Sequence, residues 1–200
     1  MLDFEAGWRA VPGWLSPADG AALQAVVMRA EPGSAVVELG AGCGRSLACI
    51  CEAVPHGVEV HSYDTHEDTA QSYQGHDAQS AAPIPAPVAR ELWCLTQEHF
   101  WKKGVVTALH SEDSVKGAAS YVGPTVSVLF VDDHHSEEQV RRNLIAWRSK
   151  LMRHSVVLFH DYTTLVYGIL RAANALLPEM GFSFIGVSPG SIVGVWKRGQ

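Results

Sequence analysis

The chain has 200 residues, of which 47% are hydrophobic and 18% charged, and a formal net charge of −6. That size and balance point to one domain with a sizeable core, and the negative charge argues against nonspecific nucleic-acid binding through a basic surface. No apolar run is long enough to span a bilayer. The start, MLDFEAGWRAVPGW, lacks the basic residues and apolar core of a secretory signal, so the expectation is a cytoplasmic protein with neither nucleic acid nor membrane as partner.

Strands and helices alternate along the chain. An N-terminal helical segment, 1–33, carries LSPADGAALQAVVMRA, with Ser16 as N-cap, Pro17 at the first helical position and Asp19 near the positive end of the helix dipole. SAVVELG is a short apolar strand ending in glycine, and RSLACICEAV follows as a helix with Leu47, Ile50, Cys51 and Val54 on one stripe. GVEVHSYD, VVTALHSED, TVSVLFVDD and SVVLFHDY are the next four strands. Between the last two, Ser136 and Gln139 fit a capping box for a helix with Val140, Leu144, Trp147 and Leu151 facing inward. A further helix over about Leu165–Leu177 leads to FSFIGVSPGSIVGVWKR, two strands joined by a Ser-Pro-Gly turn.

This alternation predicts an α/β fold: a Rossmann-like, doubly wound, mostly parallel sheet of seven strands, closed by a C-terminal antiparallel β-hairpin. The whole of 1–200 reads as a single domain. Residues 65–87, polar and then punctuated by proline, follow a strand's C-terminal end, where ligands sit in this architecture, and so read as a lid loop. The aromatic residues Phe4, Trp8 and Trp14 offer a surface for a neighbouring chain, which would make the protein a homo-oligomer. The four cysteines, Cys43, Cys49, Cys51 and Cys94, form no C-x-x-C pair and read as small buried or half-buried thiols.

Two regions carry chemistry. In VVELGAGCGRS a strand turns into a helix through Gly40, Ala41, Gly42 and Gly44, reaching Ser46 in the first helical turn. Gly40 and Gly42 let the backbone approach a ligand, and the helix start offers free N–H groups. A dinucleotide fingerprint would need a small residue where Arg45 stands, and Glu38, two residues before the first glycine, suits a cationic ligand better than a pyrophosphate. Asp64 ends the second strand where an acid would accept both ribose hydroxyls; the alternative is a loop-start carboxylate. Asp113 and Ser114 follow the third strand, where Asp113 is equally a helix N-cap.

The second region is LFVDDHHSEEQ, together with FHDY after the fifth strand. Asp132, His160 and Asp161 sit at neighbouring strand ends and could converge on a divalent cation; carboxylates suit magnesium, and a histidine leans the set towards manganese, iron or zinc. Alternatively, Asp132 and Asp133 only stabilise the following helix start, His134 is exposed, and His160 merely packs.

The pattern Glu38-x-Gly40-x-Gly42-x-Gly44, with Asp64 and Asp113 on successive strands, resembles motif I and its partners in class I S-adenosylmethionine-dependent methyltransferases. With WLSP, VDDHHSEEQVRRNLIAW and FHDY, nearly the whole chain is similar to the family of macrocin-type O-methyltransferases and cephalosporin-hydroxylase-like proteins. Relative to that family's pattern, Asp133 replaces a glycine, His134 an aspartate and Glu137 a tyrosine.

The resemblance implies the class I methyltransferase fold and an O-methyltransferase acting on a small molecule, a sugar or polyhydroxylated natural product, with divalent-metal assistance. Glu38, Gly40, Ala41, Gly42, Gly44, Ser46, Asp64, Asp113, Ser114 and Asp132 would form the S-adenosyl-L-methionine site. Asp132, His160 and Asp161 would hold Mg2+ or Mn2+, with Asp132 and His135 catalytic and His135 as base, since a histidine ordinarily titrates near neutrality. Two rivals remain: an S-adenosylmethionine-binding protein without activity that supports a partner enzyme, motivated by the altered DDHH, and an NAD(P)-dependent oxidoreductase, disfavoured by Arg45 and by the lack of a Tyr-x-x-x-Lys pair.

Overall fold

The computed structural model describes residues 4–67 and 84–199. Two 3-10 turns, Phe4–Ala6 and Trp8–Ala10, precede α1 (Pro17–Val27), β1 (Ala35–Leu39), α2 (Arg45–Ala53) and β2 (Glu59–Tyr63). Then follow α3 (Ala86–Lys102), β3 (Thr107–His110), α4 (Ser114–Ser120), β4 (Val126–Val131), α5 (Glu137–Trp147) and β5 (Leu151–Phe159). The chain closes with α6 (Tyr167–Glu179), β6 (Phe182–Val187) and β7 (Gly194–Arg198).

One sheet of seven strands runs in the order β3-β2-β1-β4-β5-β7-β6. The first five strands pair in parallel, and β7 is antiparallel to both β5 and β6. The central strands β1 and β4 are buried on both sides because helices cover both faces. Val36, Val60, Val128 and Phe130 pack with Leu23 of α1, Leu47 and Ile50 of α2 and Trp93 of α3. Val37, Leu39, Leu129 and Phe159 face the other way, against Leu144 and Trp147 of α5 and Ile169 and Leu177 of α6. Each such side chain, fully buried, contributes about 1.5–3 kcal/mol.

Local chemistry sets the element ends. Ser16 and Asp19 close a reciprocal capping box at α1, with Pro17 in the first turn. At α5, Ser136 accepts from the Gln139 amide at 3.2 Å, but the Gln139 side chain reaches Ser114 Oγ (3.4 Å) and Asn143 Oδ1 (3.3 Å) instead of returning to the cap. Only half of the expected capping box is therefore made. The Ser-Pro-Gly turn of the hairpin closes through Ser191 N–H to Ser188 O at 3.0 Å.

Of the expected lid, residues 68–83 lie outside the described residues, and Ala86 and Pro87 already belong to α3. The sequence reading did not anticipate α3. In the N-terminal segment, Phe4 stacks on His99 with ring centroids 4.2 Å apart, and Trp8 is buried and donates its backbone N–H to Glu52 Oε1 at 2.6 Å. Cys43, Cys49 and Cys51 are buried as expected, whereas Cys94 is exposed. No helix among the described residues is long and apolar enough to cross a membrane.

Candidate active site

The parallel hydrogen-bond ladder continues one residue beyond the strands and thereby aligns the chemistry. Gly40 N–H donates to Tyr63 O (2.8 Å), Asp64 N–H to His110 O (3.1 Å), Asp132 N–H to Leu39 O (2.8 Å) and His160 N–H to Val131 O (3.1 Å). These residues therefore stand in one row along the C-terminal edge of the sheet. A cavity of about 680 Å³ opens over that row, lined from the ends of β1, β2, β4 and β5, the loop after β3, and Pro12–Leu15. It straddles the point where the strand order reverses between β1 and β4, the position at which this architecture binds ligands. Gly40 belongs there for a steric reason, since a Cβ would run into the Asp132 carbonyl.

On the β1–β3 side, Gly40, Ala41, Gly42, Ser46, Asp64, Asp113 and Ser114 all line the cavity. Asp64 Oδ2 accepts from Ala41 N–H at 2.9 Å and Gly42 N–H at 2.8 Å, so the carboxylate is oriented by the glycine turn itself. Asp113 is the N-cap of α4, with Oδ1 accepting from Val115 and Lys116 N–H at 3.0 Å each, and it also faces the cavity.

Two residues expected here stand apart from the cavity wall. Gly44, the N-cap of α2, faces Trp93 and Thr96 of α3. Glu38 is wholly buried under the turn, accepting a short hydrogen bond from Ser62 Oγ, which in turn accepts from Trp93 Nε1 at 3.0 Å. Burial pushes its carboxyl up to about 8, against the opposing hydrogen bonds of Ser46 and Ser62. Glu38 is thus a protonated prop for the turn at neutral pH, and the idea that its charge faces a cationic ligand is corrected by its burial.

On the β4–β5 side, Asp132, Asp133, His134, His135, His160 and Asp161 all border the cavity. One ligand atom from each of Asp132, His135 and Asp161 lies within 4.8 Å of the others, and His135 Nε2 is 3.4 Å from Asp161 Oδ2. The metal set expected from the resemblance named His160, whereas the histidine whose ligand atom lies with those of Asp132 and Asp161 is His135. His160 is 3% exposed, with Nδ1 at 3.3 Å from Asp132 Oδ1 and 3.1 Å from Asp161 Oδ2, while Nε2 lies at ion-pair distance, 3.6 Å, from Asp19 Oδ2. Burial alone would lower its pKa, but Asp132, Asp161 and Asp19 together push it up to about 12. With acids facing both ring nitrogens, His160 lies behind the site as their buried partner. His160 in turn holds the Asp161 carboxyl below the ordinary range despite its burial.

Asp161 has φ 53° and His66 has φ 54°, a backbone region disfavoured for non-glycine residues, and both follow strand ends beside the cavity.

Asp133, one of the three departures from the pattern, turns inward. Its Oδ2 accepts from Asn143 Nδ2 (2.6 Å) and Ser114 Oγ (2.8 Å), and burial raises its pKa to about 6 against those two bonds. Gln139 serves the Asn143 carbonyl, which leaves the single Ser114 hydroxyl proton for Asp133. The network ties the loop after β3 to the turn after β4. His134 remains exposed at the cavity edge.

Sequence reasoning treated Asp19 only as a helix-start acid. It is 2% exposed and accepts from Ser191 Oγ and Ile192 N–H, each at 2.8 Å, besides pairing with His160 and capping α1. Burial opposes its ionisation, but these partners hold the carboxyl well below its usual range. The capping-box spacing Ser16-x-x-Asp19 was the available signal; its distant partners were not visible in the sequence.

A family model described as a methyltransferase domain matches residues 37–162, more than half of the chain. The chain belongs to that family, and its fold is that of the class I S-adenosylmethionine-dependent methyltransferases. No curated protein matches the chain significantly in sequence.

Among solved structures the chain is similar to CalS11, a TDP-rhamnose 3'-O-methyltransferase of calicheamicin biosynthesis, with TM-score 0.65, 17% identity, and 93% of this chain and 82% of that chain covered. It is similar to an O-methyltransferase from Bacillus cereus in complex with SAH (TM-score 0.64, 14% identity, coverage 92% and 81%). A third is cofactor-bound Rv0187 from MTB (TM-score 0.64, 12% identity, coverage 94% and 83%). At these identities the likenesses speak for the fold.

Proposed function

We propose that the protein is a single-domain S-adenosylmethionine-dependent O-methyltransferase acting on a small hydroxylated molecule. The observation carrying this reading is that the glycine turn with Asp64 and the cluster of Asp132, His135 and Asp161 open into one cavity. The turn, Asp64 and the Asp113–Ser114 loop would take the cofactor, with the Asp64 carboxylate accepting the ribose hydroxyls. The substrate hydroxyl would then approach from the β4–β5 side, towards the methyl group. Similarity to a TDP-rhamnose and another O-methyltransferase supports a hydroxyl acceptor.

Transfer of a methyl group to a hydroxyl oxygen releases one proton. His135 is exposed in the cavity and backed by Asp161 at 3.4 Å, which suits an imidazole that takes up that proton and a carboxylate that orients and stabilises it. The buried His160 cation lies against Asp132 and Asp161 and reduces the repulsion between this pair of acids and an electron-rich substrate oxygen.

A second reading has its own observation. Asp132, His135 and Asp161 offer three ligand atoms close enough for one divalent cation, so the residues present fit a metal of the magnesium or manganese kind. Such an ion would lower the pKa of a bound hydroxyl and fix its orientation. In that case His135 is a ligand, and the His160 charge behind the site weakens the ion's affinity.

Calorimetric titration with S-adenosylmethionine, followed by an assay of S-adenosylhomocysteine release across nucleotide sugars, polyols and catechols, tests the function. Binding without turnover on any hydroxyl acceptor, alongside turnover on amines, would sink the O-methyl assignment. EDTA treatment separates the two readings. Full activity in EDTA, with a loss of about 10²–10⁴-fold in His135→Ala, is expected for the His–Asp pair acting without an ion. Activity abolished by EDTA and restored by Mg2+ or Mn2+, and absent in an Asp132→Ala, Asp161→Ala double variant, marks the metal.

A further inference from the structure

The glycine turn is held from one direction, the end of β2, and the holding residues act on successive peptide units. Asp64 Oδ2 accepts from Ala41 N–H and Gly42 N–H, at 2.9 and 2.8 Å, fixing the Gly40–Ala41 and Ala41–Gly42 planes. The third plane, Gly42–Cys43, is fixed through its carbonyl by His66 Nε2 at 2.9 Å. A carbonyl oxygen only accepts, so that contact assigns the proton to Nε2. His66 also steadies Asp64 through its backbone N–H, which donates to Oδ1 at 2.7 Å.

We propose that His66 is a positioning residue for cofactor binding: its imidazole completes the clamp on the glycine turn and its backbone orients the Asp64 carboxylate, so that the pocket is shaped before the cofactor arrives. This rests on the reading that the turn and Asp64 hold the cofactor.

Burial and backbone both fit a fixed part. His66 is 6% exposed and does not line the cavity, which places it behind Gly42 and Asp64. Its ring lies against Trp93 of α3, centroids 4.9 Å apart, and Trp93 Nε1 bonds the same Ser62 hydroxyl that reaches Glu38. The left-handed backbone at φ 54° costs energy for a histidine, and it is what brings both the N–H and the ring of one residue back onto the turn. A pocket whose peptide planes are already fixed does not lose conformational freedom on binding, and this raises affinity without any new contact to the ligand.

The test compares wild type with His66→Phe, His66→Gln and Asp64→Ala, measuring S-adenosylmethionine and S-adenosylhomocysteine affinity by calorimetry and the melting temperature of each. Phe keeps a ring against Trp93 and removes the donor; Gln restores an amide N–H near the position of Nε2. His66→Phe is expected to bind both ligands roughly tenfold more weakly, the usual consequence of losing one partly buried hydrogen bond. His66→Gln should recover to within about threefold of wild type, with all three proteins melting within a few degrees of one another.

Wild-type affinity in His66→Phe overturns the proposal. So does an equal loss in Phe and Gln that tracks a lowered melting temperature, because a purely structural role predicts it. Asp64→Ala distinguishes the underlying reading: undiminished binding there would show that the turn and Asp64 are not the cofactor site at all.

Discussion

At the scale of single residues, Glu38 shows how burial changes what a motif acid does. Its sequence position beside three glycines suggests a charge directed at a ligand, but 0% exposure favours the protonated form, over the opposing hydrogen bonds of Ser46 and Ser62. Its pKa rises from an ordinary 4.5 to about 8. A raised folded-state value stabilises relative to the unfolded chain only where both forms are protonated, so this contribution is complete below 4.5 and is lost as pH rises to about 8. Glu38→Gln keeps the hydrogen-bonding shape without the titration. Its stability advantage over wild type should grow by up to about 1.4 kcal/mol per pH unit across that window and be nil at acidic pH. Urea unfolding of both proteins from pH 4.5 to 8.5 measures it, and parallel curves would contradict the assignment. Sequence could supply the acid and its spacing; its depth beneath the turn depends on Trp93, 55 positions along the chain and in a helix that was not foreseen.

At the scale of elements, the strands and most helices follow from local signals, and the exceptions have physical causes. Ser16, Pro17 and Asp19 announce α1 because cap chemistry is contained within four residues. In α3 the buried positions are Ala89, Trp93, Thr96 and Phe100, while Val88, Leu95 and Trp101 are exposed, so the apolar residues ring the helix and hide its period. The start of α6 is also positioned by something no sequence window contains. A Cβ on Gly168 would collide with the His135 carbonyl oxygen and come to 2.7 Å from Glu137 N. Gly168→Ala should therefore displace the turn carrying His135, lowering kcat by about 10²-fold, as expected for a misplacement near 1 Å, at about 1–3 kcal/mol of stability from overpacking. S-adenosylmethionine affinity should hold, since the glycine turn lies beyond β4. Steady-state kinetics and calorimetry decide this, and a parallel loss of cofactor affinity would refute the separation of the two halves.

Across the whole molecule, parallel topology explains why both candidate regions fall on one edge, and that much could be argued from the order of strands and motifs. What the strand order does not contain is the closure of the β5 side, which rests on Asp19. This carboxylate caps α1, receives Ser191 and Ile192 from the hairpin loop, and pairs with His160 at the end of β5, joining residues up to 173 positions apart. Pro12–Leu15, which line the cavity, lead directly into that cap. Asp19→Ala removes one of the three carboxylates around the buried His160 and strips two hairpin donors of their acceptor, so about 1–3 kcal/mol of stability should be lost for each donor left unsatisfied. Asp19→Asn, which still accepts hydrogen bonds, isolates the charge. Because the folded carboxyl lies below its ordinary 3.8, its stabilisation is present above that pH and disappears as pH falls, so wild type should approach Asp19→Asn in stability on acidification. Hydrogen exchange gives the spatial test: in Asp19→Ala, protection should fall together at residues 11–19 and 188–193, while β2 and β3 keep theirs. Loss confined to α1 would mean that the cap alone matters and that the hairpin, the cavity rim and β5 are held independently.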